Sequence, residues 1–410
     1  MKYEILDINS VKEFVFNINN VKEYLAVSSL AELTSSEIGD GNLNFVYIVS
    51  NKFDATKSLI VKQAVPYLRC VGEEFPLSRE RMTYEIRALL KYQEICSEYI
   101  PKIYYSNEAM SIVVMQNLSE HIILRKGLIQ HHYYYNFIEH ITTFLAKSLF
   151  FTSSLSLDSK AKRDLIGQFN SNTELCKLTE DFVFTAPYME DETNNINEEC
   201  ISEAKEFFNN NEEFKKNVLE LKYLFMTSSD TLIHGDLHTG SIMINENETF
   251  VIDPEFAFFG PFGFDIGALI ANIINSYISH SVILSDEEYK NWLLNSIEEF
   301  YTKFEEKFLN LWDNQKSSSL IKEGFIGSEM LDEYKKEFMK NIFISSIGFA
   351  GCKITRRVFG VAGVEEIRGL ENKEQRKKAE LQALELGQQL VLQYKNITNT
   401  EQLIKIIKSV

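Results

Sequence analysis

Proline and glycine are scarce, six and 18 among 410 residues. Both interrupt regular elements, so their rarity leaves long unbroken segments, and the Glu-, Lys- and Leu-rich second half predicts more helix than strand. The five cysteines (Cys70, Cys96, Cys176, Cys200 and Cys352) are scattered, odd in number and never in Cys-x-x-Cys spacing. That pattern offers no disulfide framework and points to reduced thiols in a cytoplasmic protein. Positive charge is in deficit: 42 Lys and Arg against 59 Asp and Glu give a net charge of −17. Neither a nucleic-acid partner nor an anionic membrane is expected, although a local basic pocket for a phosphorylated ligand remains open. Long hydrophobic runs are missing too. The apolar segment near Gly267–Ile274 is broken by Asn272 and Asn275 and reads as too short to span a bilayer. The opening Met-Lys-Tyr-Glu-Ile-Leu-Asp interrupts any secretory apolar region, so no signal peptide is expected.

What is present is an ordinary globular composition, 45% hydrophobic and 25% charged, at a length that suggests two or three domains or lobes. Between Leu232 and Gly267 lie five of the 18 glycines and two of the six prolines. Backbone freedom is concentrated there, together with His234, Asp236, His238, Asp253, Glu255 and Asp265 amid apolar residues. Tight turns holding polar side chains in fixed poses are the natural reading.

Upstream, apolar positions from Val11 to Leu25 follow a helical period over residues 10–30. Ser36 to Val49 reads as a hairpin with Gly39 and Gly41 in its turn, followed by a strand and not by a helix. That order argues against a dinucleotide-binding turn and fits the hairpin that covers ATP phosphates in kinase-type folds. The third glycine of that pattern is replaced by Asn44, a residue that tolerates left-handed backbone. A third strand, Ser58–Val65, carries Lys62, and the helix from about Ser78 to Tyr92 sets Glu85 beside an apolar stripe of Met82, Ile86, Leu89 and Leu90. Alone, Lys62 would be a solvated edge residue. With a glycine hairpin before it and Glu85 after it, it matches the Lys–Glu pair that holds the α- and β-phosphates. A buried strand, Ser111–Met115, ends in Gln116-Asn117-Leu118, placed as the hinge whose backbone meets adenine. This divides the chain into a nucleotide-binding lobe, 1–117, and a catalytic and substrate-binding lobe, 118–410. From about 130 to 230, and again after 285, the pattern is helical, with breaks expected at Glu190–Glu199, at Ser317–Ser319 and in a glycine-rich passage from Gly348 to Gly369. His131 and His132 lack a third ligand at metal spacing and read as surface residues, and Tyr133–Tyr135 as packing.

In the central stretch, Leu232–Ile233 ends a strand and His234-Gly235-Asp236 turns at its tip. Ile242–Ile244 and Phe250–Ile252 form the next two strands, with Asp253-Pro254-Glu255 after the second. One carboxylate is thus available to orient and deprotonate an acceptor hydroxyl, and one to hold Mg²⁺ against a triphosphate. Ser241 stands five residues after Asp236, where the kinase order has Asn. Asp265 reads as a loop brace or helix cap. The rival, a hydrolytic metal site on His234-x-Asp236-x-His238, fails on ligand supply, because the chain has seven His and the next after His238 is His280.

The block His234-Gly-Asp-Leu-His-Thr-Gly-Ser-Ile-Met243, with Ile252-Asp-Pro-Glu-Phe-Ala-Phe-Phe-Gly-Pro-Phe-Gly-Phe-Asp-Ile-Gly267, closely resembles the S-methyl-5-thioribose kinase family. So do Ser36–Asn44 and the passage Gly348-Phe-Ala-Gly-Cys-Lys-Ile-Thr-Arg-Arg357. That family lies in the aminoglycoside-phosphotransferase and choline-kinase-like branch of the protein-kinase fold. The resemblance implies an α+β, two-lobed fold with a small β-rich N-lobe and a larger, mostly helical C-lobe. It also implies ATP- and Mg²⁺-dependent phosphorylation of the anomeric 1-hydroxyl of methylthioribose by a homodimer. Carried over, Asp236 is the base or orienter, Asp253 and Glu255 hold Mg²⁺, and Arg356 and Arg357 stabilise transition-state charge. Gly39, Gly41, Asn42, Asn44, Lys62, Glu85, Gln116, Asn117, Leu118 and Ser241 contact the nucleotide, and Asn42, Asp236 and Arg356 the sugar. Two readings remain beside it: a kinase of the same fold acting on an aminoglycoside, choline or homoserine, and a catalytically silent nucleotide-binding protein.

Overall fold

A computed structural model describes residues 3–38, 43–68, 72–283 and 286–410. They form two compact units, one comprising the N-terminal residues to His121 together with Phe250–Ala257, the other Ile122–Thr249 with Phe258–Val410. The architecture is α+β, with strands dominant in the first unit and helices in the second.

The first unit opens with α1 (Ser10–Phe16) and α2 (Asn19–Leu25), so the helical period over 10–30 is broken at Asn17–Ile18. Strands β1 (Leu33–Glu37), β2 (Asn44–Asn51) and β3 (Asp54–Ala64) follow. A short pair comes next, β4 (Tyr67–Leu68) and β5 (Gly72–Pro76), then α3 (Arg81–Cys96), β6 (Ile103–Asn107) and β7 (Ile112–Gln116). The main sheet has the order β1-β2-β3-β7-β6 with every neighbour antiparallel. Successive side chains of a strand point to opposite faces. Leu59 and Val61 of β3 therefore join Val11, Val15, Val21 and Leu25 on the face covered by α1 and α2. Ala64 packs with Met82 and Ile86 of α3 on the other face. Lys62 shares the parity of Ala64, and alternation alone aims it at α3. Leu90, read as part of the apolar stripe of α3, is 40% exposed. It sits one residue past Leu89, a step of about 100° around the helix that carries it off the buried face.

In the second unit β8 (Ile122–Ile123) leads into α4 (Leu124–Ile129), α5 (Phe137–Phe151), α6 (Ser159–Phe169), α7 (Thr173–Phe182), α8 (Ile201–Asn210) and α9 (Glu212–Thr227). Strands β9 (Thr231–Ile233), β10 (Ile242–Ile244) and β12 (Phe258–Gly260) carry the central stretch here, whereas β11 (Thr249–Val251) belongs mostly to the first unit. Within the unit β10 pairs with β8, and β12 with β9, all antiparallel. The chain finishes with α10 (Gly263–Ile283), α11 (Glu287–Asn314), α12 (Ser328–Phe359), α13 (Glu365–Arg368), α14 (Lys373–Gln393) and α15 (Thr400–Ile407).

Two expectations are corrected here. The apolar segment at Gly267 belongs to a 21-residue helix, α10, long and apolar enough to cross a membrane by length and composition, yet 78% of its most apolar window is buried within the protein. An all-round apolar helix at the centre of a helical unit meets that description. The Gly348–Gly369 passage is likewise not a break along its whole length, because α12 runs through Gly348 and Gly351 to Phe359. Those glycines serve close helix packing instead. The clearest case lies opposite them: a Cβ on Gly267 of α10 would stand 2.4 Å from the Ser346 carbonyl oxygen and 2.9 Å from the Ala350 nitrogen, both backbone atoms of α12. Backbone cannot swing aside as a side chain does, so Gly267→Ala should force α10 and α12 apart and cost about 1–3 kcal/mol, read as a lower urea midpoint. An unchanged midpoint would mean the two helices are not so close in solution. Among the three tyrosines Tyr133–Tyr135, Tyr134 packs inside while Tyr135 is exposed.

Candidate active site

Of the residues expected to meet the nucleotide, Asn44, Lys62, Glu85 and Gln116–Leu118 lie in the first unit and Ser241 in the second. Lys62 Nζ lies 2.7 Å from Glu85 Oε1 and 2.5 Å from Asp253 Oδ1. Glu85 is fully buried. Burial opposes the Lys62 charge, but Asp253, Glu85 and Glu255 more than offset it and raise its pKa, so the ammonium stays protonated. Burial raises the Glu85 pKa against the pull of Lys62. Asp253 itself adopts left-handed backbone, φ 62° and ψ 46°, which Asp tolerates better than most residues. The kinked Asp-Pro-Glu turn that follows buries Glu255. Asn44 Nδ2 donates to Glu255 Oε2 at 3.3 Å, and Arg81 Nη2 donates to Asn44 Oδ1 at 3.0 Å. The Arg81 Nε lies 3.7 Å from Glu255 Oε2. Asn44, which takes the slot of the third loop glycine, thus braces a carboxylate. Gln116 ends β7, Asn117 donates to Ser58 Oγ at 3.0 Å, and Leu118 is buried. Gly39, Gly41 and Asn42 lie outside the described residues.

Two carboxylates separated by one residue are a donor set suited to Mg²⁺. That ion takes hard oxygen ligands and typically keeps one or two carboxylates, with phosphate oxygens and waters filling the rest. Among the described residues no group of three or more His, Cys, Asp or Glu is placed to hold a metal.

The second unit carries the groups expected to meet the acceptor. Gly235 takes φ 83°, a value that favours glycine, and turns the chain sharply after β9. Buried Asp265, in the first turn of α10, accepts from His234 N at 2.6 Å and from Gly235 N at 3.0 Å, so it braces the loop as expected of it. Ser241 Oγ donates to the Asp236 carbonyl oxygen at 3.1 Å and closes the turn from the other side. Gly240 N donates to His238 Nδ1 at 2.9 Å. In the neutral ring the proton therefore sits on Nε2, the nitrogen 3.4 Å from Asp236 Oδ2. Burial holds the His238 pKa well below its ordinary value, with Asp236 opposing. Burial alone would raise the Asp236 pKa, but Lys353, His238, Arg356 and Arg357 overcome it and hold the carboxyl well below its usual range.

Arg356 and Arg357 are only 8% and 6% exposed, not solvated helix charges. Arg357 Nη1 donates to the Ala362 carbonyl at 3.0 Å, while Arg356 Nε has no hydrogen-bond partner among the described residues. Two further cations escaped the sequence reading. Lys353 Nζ stands 3.2 Å from Asp236 Oδ1, and Arg125 of α4 lies 3.3 Å from buried Glu366. Lys353 had a legible signal, since positions 353, 356 and 357 fall on one helical face at i, i+3 and i+4. Arg125 had none.

A buried Lys–Glu pair on a strand and helix with the half-exposed Asp253 beside it, a cation-ringed Asp on a glycine turn, and a pair of buried arginines define a phosphotransferase. Residues 174–289, which hold Asp236, Asp253 and Glu255, match the model of the phosphotransferase enzyme family. Among solved structures the chain is similar to a choline kinase from Cryptosporidium parvum Iowa II, at 14% identity, a TM-score of 0.48 and coverage of 98% of this chain and 99% of that one. It is 39% identical over 389 residues to methylthioribose kinase 1 of Oryza sativa subsp. japonica, covering 93% of this chain and 90% of that protein. It is 41% identical over 374 residues to a methylthioribose kinase of Bacillus cereus, covering 91% of each. The chain belongs to the methylthioribose kinase family.

Proposed function

We propose that this protein transfers the γ-phosphoryl group of ATP to the anomeric 1-hydroxyl of S-methyl-5-thio-D-ribose, giving S-methyl-5-thioribose 1-phosphate and ADP, a step of methionine salvage. The observation that carries the reading is the match to methylthioribose kinases at about 40% identity over about nine-tenths of the chain. The two sets of polar groups support the chemistry. Residues 1–117 form the nucleotide-binding lobe in this proposal, with Asn44, Lys62 and Glu85 serving the phosphates and Gln116, Asn117 and Leu118 the adenine. Asp253 and Glu255 would hold Mg²⁺, whose charge neutralises the phosphate oxygens. Residues 118–410 carry the acceptor side. Asp236 orients the sugar hydroxyl, Ser241 fixes the loop beneath it, and Arg356 and Arg357 meet the phosphoryl charge, a task suited to planar guanidinium donors. The depressed pKa of Asp236 makes it an orienting and electrostatic group more than a resting-state proton sink. Cys176, Cys200 and Cys352 form no disulfide among the described residues, which suits the cytoplasm, and assembly as a homodimer completes the proposal.

The test is a panel of acceptors with ATP and Mg²⁺, followed by coupled detection of ADP. Methylthioribose should be turned over with the highest kcat/KM. Turnover of choline, homoserine or an aminoglycoside in its place would overturn the substrate assignment, and EDTA should abolish activity that added Mg²⁺ restores.

A further inference from the structure

We infer that Lys353 is a positioning residue that locks the Asp236 carboxylate in one orientation by holding Oδ1, while the His238 ring stands beside Oδ2. This rests on the reading of Asp236 as the group that faces the acceptor hydroxyl. The contact at 3.2 Å comes from a lysine only 3% exposed, one helical turn before Arg356. Its ammonium lies 4.6 Å from the ring centre of Phe264, a cation–π seat that fixes Nζ from a second direction. Phe264 is itself fully buried and adjoins Asp265, the residue that braces His234 and Gly235. On the other side, the Gly240 amide sets the His238 tautomer that presents N–H to Oδ2. The carboxylate thus has a donor on Oδ1 and the His238 ring 3.4 Å from Oδ2, each of these groups being held by something else.

Charge balance alone does not explain the lysine. Arg356 and Arg357 already attract Asp236 from the same helix, and a third cation among them is costly to bury. Burial, with Arg356 and Arg357 repelling and Asp236 attracting, pulls the Lys353 pKa down to about 8. A residue present only to fill space at that point of α12 would be apolar. What the lysine adds is a donor on Oδ1. Without it the carboxylate is free to turn toward the arginines, taking its lone pairs off the acceptor hydroxyl and the guanidinium groups off the phosphoryl oxygens.

The test compares Lys353→Met, Lys353→Arg, Asp236→Asn and the wild-type enzyme with methylthioribose and ATP. Misplacing a catalytic group by about 1 Å is enough to lower the rate about 10²-fold. Lys353→Met should approach that loss in kcat with KM for ATP nearly unchanged, and Lys353→Arg, which still donates to Oδ1, should recover part of it. An unchanged kcat in Lys353→Met overturns the inference, as does Lys353→Arg failing as badly as Met with an equal loss of thermal stability. Full activity in Asp236→Asn, or no turnover of methylthioribose by wild type, overturns the functional reading and this inference with it. Should Lys353→Met not fold, Lys353→Ala takes its place: wild-type kcat overturns the inference, and a fall in kcat at constant KM for ATP that Lys353→Arg partly reverses supports it.

Discussion

Asp236→Asn should lower kcat about 10²- to 10⁴-fold, the range for losing one positioned acid–base group, while ATP still binds with near wild-type affinity. The side chain keeps its size and one oxygen, so Lys353 retains an acceptor and the Gly235 turn keeps its braces from Asp265. What disappears is the negative charge that aligns the sugar hydroxyl. The nucleotide contacts proposed for Lys62, Asp253 and Glu255 involve no part of this loop, so titration of a fluorescent ATP analogue should separate binding from chemistry. The pH profile adds a second readout. The wild-type Asp236 carboxyl lies well below its ordinary value, with burial overcome by Lys353, His238, Arg356 and Arg357. It therefore remains ionised as pH falls from 7 toward 5, and no acid limb of kcat in that window arises from it. Equal turnover in Asp236→Asn and wild type would remove Asp236 from the mechanism.

The sequence and the structure agree most closely where the signal is short-range. The order of glycine hairpin, strand lysine and helix glutamate paired Lys62 with Glu85, helical period set Glu85 beside its apolar stripe, and the tight His-Gly-Asp turn announced itself through a glycine that the backbone requires. The Asp265 brace was legible for the same reason, as a lone carboxylate at the head of an apolar helix. For Lys353 the shared helical face with Arg356 and Arg357 was legible but the partner was not, because Asp236 lies 117 residues earlier in the chain. No local pattern distinguishes a lysine that will meet a carboxylate from one that will meet water. The glycines at 348 and 351 misled in the other direction. Glycine weakens a helix by propensity, yet it also permits close approach, and only the neighbouring helices α9 and α14 decide which applies. Leu90 failed by one residue, since the edge of an apolar stripe is set by the curvature of what it packs on. Arg125 gave no warning, and its place beside Glu366 is a product of tertiary folding.

Lys62→Met should abolish most activity and also destabilise the first unit, by about 3–5 kcal/mol if Glu85 is left buried and charged without its partner. Glu85 has a way to reduce that cost. Burial already raises its pKa, with Lys62 the main force opposing. Removing the ammonium lets the carboxyl take up a proton, so the observed loss should fall toward the lower end of the range and lessen further as pH drops. The double variant Lys62→Met/Glu85→Gln separates the two roles. A neutral amide needs no counter-charge, so most of the lost stability should return, measured by urea unfolding at pH 7. Activity should not return, because no cation then faces the phosphates and Asp253 Oδ1 has lost its donor at 2.5 Å. If the double variant is no more stable than Lys62→Met, the Lys62–Glu85 pair is not the buried contact at 2.7 Å. If it regains activity, Lys62 serves the fold alone and the phosphate-binding role must pass to another residue.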